Sequence, residues 1–68
     1  MNTNLLIKFR KRKKYSQEKM AKMLGYKSKG SYSLIESGKT KININLANKI
    51  VKILDLSLRE ILALFFNK

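Results

Sequence analysis

The chain contains no cysteine, no histidine and no proline. Without cysteine there is no disulfide, and without cysteine or histidine the common zinc sites are excluded. A small domain that manages without disulfides points to a reducing compartment, so the cytoplasm is the expected location. No apolar run is long enough to cross a bilayer. The opening stretch, "MNTNLLIKFRKRKKYSQ", places its charge after the apolar part, the reverse of a secretory signal. Acids are scarce too. The four present, Glu18, Glu36, Asp55 and Glu60, are scattered, and each falls at a helix end or in a pair. With no histidine or cysteine, and nothing to organise an oxyanion site around a serine and a lysine, an enzyme is not expected. No metal, cofactor or small-molecule ligand is expected either.

What is present is positive charge. Sixteen Lys or Arg stand against four acids, giving +12 at pH 7 on 68 residues. Self-repulsion at this density works against a compact state, so the charge is read as serving a polyanionic partner, nucleic acid or an anionic membrane surface. The length allows one domain, residues 1–68, with a modest core.

The apolar pattern is helical throughout. The only alternating stretch, "KININ" at Lys41 to Asn45, is short and flanked by helix signals. Leu5, Leu6 and Phe9 share a face with Arg10 beside it, predicting a first helix over about 4–13, capped by Thr3 or Asn4. Ser16 caps a second helix with the stripe Met20, Ala21 and Leu24, and Gly25 ends it. Ser28 caps a third with Tyr32 and Ile35 inward, closed by Ser37 and Gly38. Asn43 caps a fourth, with Ile44, Ala47, Ile50, Val51 and Leu54 as a wide apolar face. Ser57 and Glu60 form a capping box for a fifth, "LREILALFFNK". The predicted fold is all-α, five short helices. The fifth helix is apolar on nearly every side, more than so small a core can cover.

The second and third helices are short and closely joined, with small Ala21 on the inner face and Gly25 at the sharp turn. This spacing suits a helix-turn-helix, whose second helix enters the major groove of DNA. The residues that carry the pattern are Ser16, Gln17, Glu18, Ala21, Gly25, Ser33, Ile35, Glu36 and Gly38, in order and nearly in spacing. Arg10, Asn43, Leu54 and "LSLREIL" extend it over about residues 5–62. In these residues the chain resembles the Cro/CI phage-repressor family, also called the XRE family, whose fold is that of the lambda-repressor DNA-binding domain.

The resemblance implies a set of roles. Gln17 resembles the glutamine that starts helix 2 and binds a phosphate. Lys29 matches the first exposed position of the recognition helix, with guanine as the simplest target. Ser28, Gly30 and Ser33 fall at base-reading positions, and Ser31 and Lys27 at phosphate contacts. Lys39, Thr40 and Lys41 lie where the family's loop touches phosphates. Arg10 and Glu36 resemble a structural pair tying helix 1 to the end of helix 3. The remaining basic residues of "RKRKK", Lys11 to Lys14, are either phosphate contacts or a general field.

Three departures follow. "YKSKG" makes the turn one residue longer, leaving Lys27, Ser28 and Lys29 as alternative leading base readers. Lys14 stands where the family often has glycine, so a left-handed residue there carries strain. Lys19 replaces the glutamate that would complete a capping box with Ser16.

The expected function is a Cro-like repressor that binds a pseudo-palindromic operator as a dimer through the major groove, with Leu64, Phe65 and Phe66 as the dimer surface. The competing reading has these three residues closing the chain's own core. With no room in 68 residues for a sensor domain, control is expected to come from concentration or another partner. The alternative is an antitoxin or accessory protein of the same fold that uses helix 5 to bind a partner protein. A cationic membrane binder is disfavoured by tight glycine turns, three N-caps and no tryptophan.

Overall fold

The computed structural model describes residues 1–66; the last two positions of the predicted fifth helix, Asn67 and Lys68, lie outside the described residues. The described residues form five α-helices and no strand: α1 Thr3–Arg12, α2 Gln17–Met23, α3 Lys29–Glu36, α4 Ile44–Leu54 and α5 Leu58–Phe65. α3 packs chiefly on α2 and also on α1, and α1 packs in turn on α5.

Side-chain caps start four of the helices. Ser16 accepts from the Lys19 amide at 3.0 Å, which is half of a capping box, as Lys19 cannot return the bond. Asn43 accepts from Leu46, and Ser57 with Glu60 forms the full box. The start of α1 differs from expectation. Its cap is Asn2, not Thr3 or Asn4, because the Asn2 side chain reaches the Leu5 amide at 3.1 Å. The Asn2 amide is itself held by the Leu64 carbonyl at 2.7 Å, joining the start of α1 to the far end of α5. Ser28 sits at the N-cap position of α3 but makes no capping bond there.

Four helices end by one scheme. A residue with positive φ follows the helix, and the next amide reaches back to a carbonyl in the last turn: Tyr15 to Arg10, Tyr26 to Ala21, Lys39 to Leu34 and Leu56 to Val51. Gly25 (φ 88) and Gly38 (φ 79), on either side of α3, adopt this conformation freely. Lys14 (φ 62) and Asp55 (φ 52) adopt it at a cost.

The core is Leu6, Phe9, Met20, Ala21, Leu24, Tyr32, Ile35, Ile50, Leu54, Leu56 and Leu64. Ile44, expected on the inner face of α4, is instead 77% exposed, because it opens the helix at the rim of the molecule. Leu64 is fully buried in the core. It therefore cannot form a dimer surface, which corrects the expectation for that residue.

Candidate nucleic-acid interface

The candidate interface lies over a buried charge cluster beneath α3. Glu36, the last residue of α3, accepts from Arg10 Nε at 2.6 Å, Arg10 Nη2 at 3.4 Å and Gln17 Nε2 at 2.8 Å. Arg10 Nη1 also donates to the Tyr15 carbonyl at 2.8 Å. One carboxylate thus joins α1, α2 and α3. Both charges are nearly covered, so the hydrogen bonds must compensate their lost hydration. Burial alone would push the Glu36 carboxyl up. The bonds from Arg10, with the Tyr32 hydroxyl and Gln17 adding to them, outweigh burial and hold it below the ordinary value. The Tyr32 hydroxyl is buried beside the cluster without a hydrogen bond of good geometry. Burial first, then the Glu36 charge, push its ionisation up, so it stays a neutral phenol.

Above this frame α3 turns an open face outward. Its buried residues are Tyr32, Ile35 and Glu36. Lys29 and Gly30 are exposed at its start, with Lys27 and Ser28 exposed in the preceding turn, and Ser31 and Ser33 are half-buried on its flanks. The Ser28 and Ser31 hydroxyls lie 3.4 Å apart. A shallow cleft brings Lys27, Ser28 and Lys29 against Glu18, Ala21 and Lys22 of α2. A second, polar groove brings Gly25 and Tyr26 of the turn opposite Thr40 and Lys41 of the next loop and Asn45 and Lys49 of α4. Lys39 and Lys41 are exposed, and Thr40 is half-buried. Gln17 is half-buried and already bound to Glu36, so its amide is oriented before any ligand arrives.

Not all the basic residues belong to this face. Arg12 pairs with Glu60 and lies over the Phe9 ring, and Lys13 approaches Asp55 at 4.0 Å. These contacts draw part of "RKRKK" to the α4–α5 corner. Arg12 holds the Glu60 carboxyl down at about 2, helped by the Ser57 amide. Sequence reasoning missed this tie, and it missed Leu34, an exposed leucine on α3. Leu34 was open to discovery, since it falls opposite Tyr32 and Ile35 on a helical projection.

Compared with known proteins, the chain matches the family model described as helix-turn-helix over residues 6–61. The chain belongs to the XRE, or Cro/CI-type, helix-turn-helix family. Searches of curated proteins and of solved structures give no match. As a member of this helix-turn-helix family the protein is a DNA-binding regulator, and its five helices are consistent with the lambda-repressor-like fold. No described helix is long and apolar enough to cross a membrane, and no group of acidic residues among the described ones could hold a metal ion.

Proposed function

We propose that the protein is a cytoplasmic, sequence-specific repressor that binds a pseudo-palindromic operator as a homodimer. The observation that carries this reading is the outward face of α3. The core anchors the helix through Tyr32, Ile35 and Glu36, and leaves Lys29, Gly30 and Ser33 to be matched by something outside. Lys29 is the base reader at the front of the helix, with Ser28, Gly30 and Ser33 completing the contact. Gln17, Lys27, Ser31, Lys39, Thr40 and Lys41 hold phosphates and fix the register.

A single module of this size covers few base pairs, so a second copy supplies the missing affinity from a half-site about one helical turn away. Leu58, Leu62 and Phe66 support this. They follow one another at intervals of four along α5, and all three are exposed. Phe65, half-buried, stands beside Phe66 at the edge of an apolar groove with Ile44, Ala47, Val51 and Ile61. The dimer surface is thus carried by Phe66 and Phe65, without Leu64.

Selection of bound duplexes from a random pool, at two salt concentrations, tests the proposal. The expected product is a palindromic motif whose affinity falls steeply with salt. Equal affinity for all sequences overturns sequence-specific regulation, and a one-sided motif overturns the two-fold dimer. If Phe66 instead retains a stoichiometric partner protein and the chain stays monomeric on DNA, the accessory-protein reading takes its place.

A further inference from the structure

The outer face of α3 carries one side chain that neither the core nor charge explains. Leu34 is 48% exposed, while the other large apolar residues of α3, Tyr32 and Ile35, are fully buried. At 3.6 residues per turn Leu34 lies opposite the centre of the buried set and one turn beyond Gly30. The position of Gly30 is bare. A Cβ there would meet only the Ser28 hydroxyl, at 3.8 Å, so the backbone is open to close approach from outside. The result is a strip of uncovered backbone followed by an isobutyl group, with Lys29 exposed at its front and Ser33 at its side.

A leucine can neither donate nor accept a hydrogen bond, so it cannot read the polar code of the groove. The one apolar feature on a base edge there is the C5-methyl group of thymine. We infer that Leu34 is a specificity residue that reads a thymine methyl in the major groove, and that Gly30 lets the helix approach closely enough for the contact. This rests on the reading of α3 as the recognition helix. It places a thymine in each half-site, at a position Lys29 does not serve. Burying one methyl group against leucine favours thymine by about fourfold.

The test uses the duplex selected from the random pool. Each thymine is replaced singly by deoxyuridine, which removes the methyl and keeps the base pair. The wild-type protein should lose about fourfold in affinity at one or two positions of each half-site. Leu34→Ala should bind thymine and deoxyuridine equally at those positions, and Leu34→Gln should shift the preference there towards adenine. Because Leu34 lies outside the core, both variants should melt like the wild type. Uniform tolerance of deoxyuridine by a sequence-selective wild type overturns this inference alone. So does a deoxyuridine penalty that persists unchanged in Leu34→Ala. A wild type with no sequence preference overturns the regulator reading and this inference together.

Discussion

The outer faces of α3 and α5 are both left over by the core, and they are built in opposite ways. Each helix has eight residues. α3 shows the outside a lysine, a glycine, two half-buried serines and one leucine. α5 shows Leu58, Arg59 and Leu62, with Phe66 just past its end, so its outer face is largely apolar with one charge. The core needs one side of each helix and does not dictate the other. A small, polar, positively charged face suits a wet and anionic groove, whereas an apolar face is stable only when something apolar covers it. The contrast therefore supports the division of tasks proposed above, with DNA at α3 and protein at α5.

The largest effect comes from breaking the support of α3. Glu36→Ala leaves Arg10 buried without its partner and frees the Gln17 amide, which should cost about 3–5 kcal/mol. A domain this small has little more than that to lose, so thermal melting followed by circular dichroism should find it largely unfolded. Acid acts on the same contact by degrees. Glu36 and Glu60 both titrate below the ordinary glutamate value of 4.5, Glu60 at about 2, so the folded chain holds fewer protons than the unfolded one in this window. Their contribution is complete above the unfolded value and is lost as the pH falls through the folded ones. A melting series from pH 6 to pH 2 should follow that decline, with Glu36 dominating because the Arg12–Glu60 pair is at the surface.

Next in size is the apolar face. Phe66→Ser should weaken self-association by about 1.5–3 kcal/mol for each side chain removed from the contact. Sedimentation should register the change while helical content and half-site preference stay intact. If monomer and dimer populations do not move, the contrast between the two faces loses its protein-binding half.

Within the DNA face, Lys29→Ala should cost about 1–3 kcal/mol and relax one operator position. Lys41→Ala should weaken all sequences alike and reduce the salt slope by about one. Equal behaviour of the two variants would merge base reading with phosphate contact. The smallest effect concerns neither face. Lys14→Gly relieves a left-handed lysine and should raise stability by about 1 kcal/mol, leaving operator preference unchanged.

Much of the frame could be read in advance because it depends on local chemistry. Ser16, Asn43 and the Ser57–Glu60 box start helices where side chain and amide lie three residues apart, and Gly25 and Gly38 end them where positive φ is required. The strain expected at Lys14 appears as its left-handed backbone. What escaped was set by contacts between distant parts of the chain. Asn2 became the first cap, with its own amide anchored by Leu64 at the other end of the molecule. Periodicity cannot orient a helix that is apolar all round, so Leu64 and Phe66 looked alike until packing buried one and exposed the other. The candidate site was legible as a stretch of sequence but not as a face. Ser33 looked as outward as its neighbours, whereas Leu34 is the more exposed of the two.

Glu36 gathers the ends of three helices on one carboxylate, and this has a bearing on how such a protein can change. The residues that fix the pitch of α3 all point inward, and Lys29, Gly30 and Leu34, which would choose a DNA sequence, are all exposed. No side chain of Lys29, Gly30 or Leu34 belongs to the core. New operator preferences can therefore arise by substitution at these positions with little penalty to folding. On the proposed reading, the outer surface of α3 behaves as an interchangeable facing on a fixed chassis, open to drift in a lineage and to redesign at the bench.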